Sequence, residues 1–334
     1  MSSYTFIDLF AGIGGIRMGF EQAGCRCVFS SEKDKFCRET YRANYGACPA
    51  GDITLIDAKD IPDHDILLAG FPCQPFSVAG LAKRKALGMK TGFEDETKGT
   101  MFFEICRILK EKRPRAFMLE NVKNLIHHDR GRTFRTILES LDRLNYEVFY
   151  TVLDGADYVP QHRKRVTLVG FDRSRYGNDV EFVFSTTPVE PRPVLRDILE
   201  SGVDEKYTLS DKLWTYLVRR KEEQRLKGNN FGYRMPVLDG PGGTLPARYA
   251  RDGADLLIAQ DGKNPRRLTP RECARYMGFP DTFRIVVSDR QAYKQFGNSV
   301  VVPMIADVAD LLVRKLDELE PTERGDGGFG STGR

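Results

Sequence analysis

The sequence predicts an α/β protein with an open sheet whose ligands lie at the carboxyl ends of the strands, and three observations predict it. The first is a strand-like run, Tyr4–Phe10, that passes into Ala11-Gly12-Ile13-Gly14-Gly15 and continues as a helix through Ile16, Met18, Gly19 and Phe20. Strand, glycine loop and helix present backbone N–H groups and a helix N-terminus to a nucleotide-like ligand. The spacing is not the dinucleotide GxGxxG, and a tight turn needed only for packing would look the same. The second observation is repetition. Cys27-Val28-Phe29-Ser30 ends at Glu32, where such folds place an acid on a ribose diol, and Gly51-Asp52-Ile53 closes a short third strand with an acid beside an apolar residue. One signal per β–α unit points to a nucleoside-bearing cofactor. The third is the buried run Asp65-Ile66-Leu67-Leu68-Ala69, stopped by Gly70-Phe71-Pro72, which sets Cys73 at a strand's carboxyl end.

The remaining elements follow in order. Pro72 and Pro75 flank Cys73-Gln74, fix φ on either side and hold the thiol in one orientation. A presented cysteine suits a nucleophile; an inert buried thiol is the competing reading. The polar segment Ala79–Gly99, with Lys83-Arg84-Lys85 and glycines at 88, 92 and 99, reads as a mobile lid beside that thiol. Met101–Leu109 has helical spacing, and Ala116-Phe117-Met118-Leu119 is a buried strand that delivers Glu120 to the same edge as Cys73, either as a site acid or as a cap for the next helix. Helix Arg132–Leu144 and strand Glu147–Leu153 come next, then Pro160–Arg165 and a strand over Val166–Gly170. Arg163 and Arg165, two apart on an extended segment, are expected to point to one face and to suit a carboxylate or phosphate there.

From about Phe171 the character changes. Prolines recur at 188, 191 and 193, a helix is expected over Ser210–Lys221 and a strand over Asp255–Ile258, as in a smaller irregular domain. Arg266–Met277 reads as a helix after a Pro270 start, and Gln295–Val300 opens a long apolar helix to about Leu319, followed by a disordered Gly/Ser tail.

At 334 residues, with 41% hydrophobic and 29% charged residues, the chain has the composition of a soluble globular protein of about two domains. No apolar run approaches a membrane span of about 18 residues, and Met1-Ser2-Ser3 leads straight into Tyr4–Leu9 without a basic leader, so a cytoplasmic protein is expected. The seven cysteines, at 25, 27, 37, 48, 73, 106 and 273, form no CxxC pair, which excludes a disulfide framework and a zinc ribbon. A net charge of +4 is too mild to identify a nucleic-acid partner. The clusters Lys83-Arg84-Lys85, Arg130 with Arg132 and Arg135, Arg163-Lys164-Arg165, and Arg266-Arg267 with Arg271 are candidate phosphate contacts, or simply solvated faces.

Assembled, the blocks resemble a DNA (cytosine-5) methyltransferase of the bacterial restriction–modification type. The resemblance rests on Asp8–Gly15, Gly70–Ser77, Glu120-Asn121-Val122, Gln161-x-Arg163-x-Arg165, Arg271-Glu272-Cys273-Ala274-Arg275 and Gln295–Val300, in that order. It implies a Rossmann-like methyltransferase domain over 1–185 and 266–320 with a mixed, mostly parallel sheet, and a target-recognition domain over 186–265. It further implies S-adenosylmethionine held by Phe10, Ala11, Gly12, Gly14, Gly15, Glu32, Asp52, Ile53, Pro72, Asn298 and Ser299. Cys73 is implied as nucleophile, and Glu120, Arg163 and Arg165 as cytosine-handling groups. Double-stranded DNA is the implied substrate, gripped by Ser77, Lys83, Arg84, Thr244 and Leu245, with Arg248, Tyr249, Arg251 and Asp252 reading base edges of a short GC-rich palindrome. A monomer is expected, with any cognate endonuclease acting on the same site without direct contact. Lys33 departs from the family pattern, which often has an aromatic over the adenine at that position.

Three rivals remain at this level. A methyltransferase acting on exocyclic amines would need an Asn/Asp-Pro-Pro-aromatic loop, which Phe71-Pro72-Cys73-Gln74 is not. A transfer-RNA cytosine methyltransferase would share the catalytic residues but not the long basic recognition region, and a non-catalytic binding module would have no use for Cys73.

Overall fold

The computed structural model describes residues 4–71 and 101–320. The proposed lid 79–99 and the tail 321–334 lie outside the described residues.

Eight strands and eight main helices make up the described chain. The strands are β1 (Thr5–Leu9), β2 (Arg26–Ser31), β3 (Ile66–Gly70), β4 (Ala116–Val122), β5 (Tyr146–Asp154), β6 (Lys164–Asp172), β7 (Leu257–Gln260) and β8 (Lys263–Arg267). The helices are α1 (Gly15–Gln22), α2 (Lys35–Tyr45), α3 (Met101–Lys112), α4 (Arg132–Arg143), α5 (Asp211–Leu226), α6 (Pro270–Tyr276), α7 (Asp289–Asn298) and α8 (Val302–Leu319).

The first six strands form one sheet in the order β2-β1-β3-β4-β6-β5. The pairs among β2, β1, β3 and β4 are parallel, whereas β6 runs antiparallel to both β4 and β5. The expected mixed, mostly parallel sheet is thus present. Residues alternate between its faces, as the two-residue period of a strand requires. Phe6, Leu68, Met118 and Val169 face α1 and α8, which contribute Phe20, Met304, Ile305 and Val308. Ile7, Leu67, Phe117 and Leu168 face α3 and α4, which contribute Ile105, Leu109, Ile137 and Leu141. Cover on both faces explains why these strands read as unbroken apolar runs.

Local chemistry sets the helix boundaries. Gly14, with φ +84°, precedes α1, a conformation that costs a residue with Cβ. Asp34 accepts from the N–H groups of Phe36 and Cys37 to start α2, and Thr269 with Glu272 forms a capping box around the Pro270 start of α6.

Several expectations need correction. The third strand at Gly51–Ile53 is absent: only Ala50 bridges to Ser31, and Ile53–Leu55 is a 3₁₀ turn started by Asp52. The helix expected from Arg266 begins at Pro270, because Lys263–Arg267 pairs with β7 in a hairpin through Gly262 at φ +66°. The helix expected to run unbroken from Gln295 to Leu319 is two, parted by extended backbone at Ser299 and Val301. Pro303 sits in the first turn of α8, where its missing N–H needs no intrahelical partner, so the sequence suits a helix start there. Residues 289–319 are together long and apolar enough to cross a membrane, but the apolar side of α8, Val302, Met304, Ile305, Val308, Ala309, Leu312 and Leu316, is buried in the core. Two of the three arginines of the basic cluster at 266–271 are not free for phosphates. Arg266 is buried against Glu272 in a two-point pair at 2.7 Å, and Arg271 donates to the Pro280 and Phe283 carbonyls.

Helices α1 and α8 touch where Gly19 has no side chain: an added Cβ would lie 2.7 Å from Ile305 Cγ2 and 2.9 Å from the Ala306 nitrogen. Gly19→Ala is therefore expected to destabilise the protein by about 1–3 kcal/mol despite alanine's better helix propensity. Urea unfolding with an unchanged or raised midpoint would show that the two helices can separate freely.

Candidate active site

The carboxyl edge of the sheet gathers the expected residues. After β1 the backbone turns sharply, with Phe10 and Gly12 both at φ +56°. The Gly12 N–H donates to Glu32 Oε2 at 2.8 Å and the Asp34 N–H to Glu32 Oε1 at 2.7 Å, so one carboxylate at the end of β2 shapes the loop. Around Gly12 there is open space, nothing lying nearer than 4.0 Å to the position of a Cβ. Gly14 brings no side-chain cap to α1, so the first helical turn keeps its partial positive charge unneutralised by a capping side chain. Ser299 closes it from the other side, its Oγ 2.8 Å from where a Cβ on Gly15 would be. Ala11 is nearly buried and Asn298 is exposed. Asp52 binds the Thr54 N–H and hydroxyl, and Lys33 Nζ lies 3.3 Å from its Oδ2. Ile53 is buried below it. Open space, a helix N-terminus and two acids fit a nucleoside that carries a carboxylate.

A second cluster lies at the ends of β3, β4 and β6. Gly70 pairs with Glu120 in the parallel register, while the antiparallel register sets Glu120 opposite Thr167 and Val122 opposite Arg165. Because β6 starts where β4 ends, Arg165 arrives at the acid's edge. Its Nε lies 3.0 Å from Glu120 Oε1, with both side chains nearly buried. Burial pushes the Glu120 carboxyl above the ordinary value, and Arg165 and Arg163 oppose that shift. Asn121, also buried, donates from Nδ2 to the Phe71 carbonyl at 2.9 Å and fixes the chain's course two residues before Cys73. Pro72, Cys73, Ser77, Lys83 and Arg84 lie outside the described residues.

Arg163 and Arg165 share an edge but not a target, contrary to the expectation of one common face. Arg163 is buried, 2% exposed, and its two terminal nitrogens donate to the carbonyls of Leu245 at 3.1 Å, Gly297 at 2.9 Å and Ser299 at 2.7 Å. Burial pulls its pKa below the usual value, and the three carbonyl dipoles stabilise the charge. Its guanidinium clamps backbone. Gln161 completes the clamp: its Oε1 accepts from the Leu245 N–H at 2.9 Å while its Nε2 donates to the Tyr276 carbonyl at 2.7 Å.

The base-reading candidates divide. Thr244 is exposed while it donates its hydroxyl to the His162 carbonyl at 2.6 Å, whereas Leu245 is fully buried and presents no side chain. Tyr249 is corrected outright. It is 0% exposed, with its hydroxyl donating to the Leu256 carbonyl and accepting from the Leu268 N–H. Arg251 is exposed on the one-turn helix Tyr249–Asp252, and Arg248 is exposed just before it.

Two residues beneath the site escaped sequence reasoning, which had used Asp8 and Asn121 only as parts of motifs. Asp8 is fully buried under the glycine loop with no hydrogen-bond partner on either oxygen among the described residues, and burial pushes its pKa up to about 8. An acid inside the otherwise apolar run Thr5–Leu9 was the available signal. Asn121 had none, since its partner is a backbone carbonyl from another strand.

The whole chain is similar to known proteins. The family model described as C-5 cytosine-specific DNA methylase matches residues 4–314. The type II methyltransferase M1.ScrFI of Lactococcus lactis subsp. cremoris is 54% identical over 320 residues, 95% of this chain and 80% of that protein. M.SsoII of Shigella sonnei is 53% identical over 317 residues, 94% and 81% of the two chains. A DNA-cytosine methyltransferase of Escherichia coli strain K12 is 44% identical over 372 aligned positions, covering 95% and 79%. Among solved structures, the Entamoeba histolytica methyltransferase EhMeth aligns with a TM-score of 0.73 at 18% identity over 96% of this chain and 100% of that one. The S. pombe Dnmt2 methyltransferase aligns at 0.73 and 20%, over 94% and 99%.

The raised pKa of Glu120 has a measurable sign. A folded-state pKa above the unfolded value contributes stability that is complete below the unfolded pKa and is lost as pH rises through the folded one. Between pH 4 and pH 8 the urea midpoint of the wild-type chain should therefore fall relative to that of Glu120→Gln, which stays neutral throughout. Parallel curves would mean that folding leaves the Glu120 pKa at its unfolded value.

Proposed function

We propose, for a chain that belongs to the C-5 cytosine-specific DNA methylase family, a reaction in which Cys73 forms a transient bond to a flipped-out cytosine of double-stranded DNA. Membership and the identities above make the protein a DNA (cytosine-5) methyltransferase of the bacterial restriction–modification type. The chemistry explains why that activity wants these residues. Carbon 5 of cytosine is a poor nucleophile, and a thiolate bonded to carbon 6 turns it into an enamine-like carbanion. S-adenosylmethionine, held by the glycine loop, Glu32, Asp52 and Ser299, supplies an electrophilic methyl group. Loss of the carbon 5 proton and departure of Cys73 then restore the ring.

Glu120 serves the base at ring nitrogen 3 and the exocyclic amine, where negative charge relayed around the ring is offset by a proton. A carboxyl with a raised pKa suits that role. Arg165 keeps Glu120 oriented and brings positive charge to the edge where the thiol must ionise. Arg163 takes the role of clamp rather than of a group that touches the base. The single observation carrying the proposal is the Glu120–Arg165 pair, across β3 from which the backbone runs directly to Cys73. None of this can occur within a stacked duplex, so the cytosine must leave the helix at a cost of a few kcal/mol, offset by contacts from 79–99 and the recognition region 186–265. The enzyme would work as a cytoplasmic monomer, and a cognate endonuclease would share its site without touching it.

DNA carrying 5-fluorocytosine at the target is expected to form a covalent adduct in the presence of cofactor, because fluorine cannot leave as the proton does. Cys73→Ser should abolish that adduct on denaturing gels; an adduct that survives would overturn the assignment. Glu120→Gln should lower turnover by about 100-fold or more while cofactor affinity, measured by calorimetry, is retained. Turnover at the wild-type rate would remove Glu120 from the reaction.

A further inference from the structure

A groove of about 720 Å³ is lined at its near end by His162, just before β6, and Thr244, and at its far end by Lys221, Phe231 and Arg234. Its near end is fixed: Thr244 bonds the His162 carbonyl, and the next residues along each segment, Arg163 and Leu245, are bonded to each other. The far end is equally built. The Arg234 N–H donates to the Ala254 carbonyl at 2.7 Å and the Arg234 carbonyl accepts from the Leu257 N–H at 3.0 Å, so this residue is pinned to the segment that leads into β7. Its neighbour Tyr233 turns inward, its ring centroid 4.6 Å from that of Trp214 and 4.1 Å from Lys221 Nζ. Arg234 itself is exposed, and its guanidinium has no partner among the described residues.

The surroundings are unusual for a solvated face. Phe231 is 59% exposed, Met235 44% and Val237 76%, large apolar side chains crowded beside cations, and Arg220 lies 5.4 Å over the Phe231 ring. Asp255 is the one acid among the lining residues. Cations with exposed wedges suit a polyanion whose stacked bases can be parted, and a pinned, unpaired guanidinium suits the two acceptors that guanine shows in the major groove.

Resting on the DNA methyltransferase reading, we propose that this groove receives the target duplex and that Arg234 is a specificity-determining residue that reads a guanine, with Phe231 packed against the bases beside it. The assignment moves base reading from Tyr249, which is buried, to the 231–237 segment. A position fixed through backbone bonds lets a side chain discriminate, because a misplaced base edge cannot be followed.

The test compares wild type, Arg234→Ala and Arg234→Lys. Bisulfite sequencing of plasmid from cells expressing each gives the methylated motif, and methylation of duplexes with each base pair at every motif position gives the selectivity. Both variants should lose preference for guanine at one position by about 5- to 150-fold, with the other positions unchanged. Arg234→Lys keeps the charge but not the two-point geometry, so it should lose selectivity with less loss of binding. Emission from Trp214, the chain's single tryptophan and a neighbour of Tyr233, checks that the region is folded. If Arg234→Ala does not fold, Arg234→Lys decides. An unchanged motif in a folded variant would overturn the proposal. A loss uniform over all sequences with a salt slope reduced by about 1 would overturn it too, marking a phosphate contact. Wild-type plasmid without 5-methylcytosine would instead overturn the DNA reading, and this proposal with it.

Discussion

The rest of the structure depends on a positive charge buried where water cannot reach it. Arg163 has its terminal nitrogens on three carbonyls that no regular element uses, those of Leu245, Gly297 and Ser299. Unmet, each buried carbonyl would cost about 1–3 kcal/mol, and the guanidinium without them more. The two sides therefore require one another. One guanidinium binds the segment expected to meet DNA, the break between α7 and α8 that closes the glycine loop, and the strand that carries Arg165.

Gly297 shows how closely these parts approach. A Cβ there would lie 2.5 Å from the backbone of Ala247, so the α7 terminus and the recognition segment meet backbone to backbone. Gln161 adds the Leu245 N–H to the same junction. Both polar groups of one residue are thus held by side chains from the segment that leads into β6, a stiffer anchor than apolar contact alone. The 231–237 segment is tied differently, through its own backbone to Ala254 and Leu257. The two segments are thus fastened to one frame at separate points.

Much of this was legible in the sequence, and the limits have physical causes. The strand ends carrying Glu32, Gly70 and Glu120 could be found because apolar runs stop where the sheet does. The acid and glycine signals, one per β–α unit, fall at one edge of the sheet even though the third strand proved to be a single bridge. Arg163 was identified but given the wrong partners, since these come from positions 245, 297 and 299 and no local pattern names them. Tyr249 reads like any exposed tyrosine until the tertiary fold supplies a carbonyl and an N–H for its hydroxyl. Arg266 looked like a basic surface because its partner Glu272 lies beyond a helix start, across a strand end read as helix. Asp261-Gly262, a strong hairpin dipeptide, was the overlooked signal for β8.

The antiparallel insertion of β6 beside β4 has one further consequence, which concerns folding fidelity. Side chains alternate across a sheet, so a slip of one residue in this pairing would turn Arg165 to the opposite face and bring Lys164 or Val166 to its place. Glu120 would then lose the guanidinium that faces it, to a flexible ammonium in one direction of slip and to an apolar side chain in the other, and Arg163 would be drawn away from its carbonyls. A misaligned chain is penalised electrostatically at the very edge where catalysis is expected, so the site acts as a checksum on the strand order that builds it.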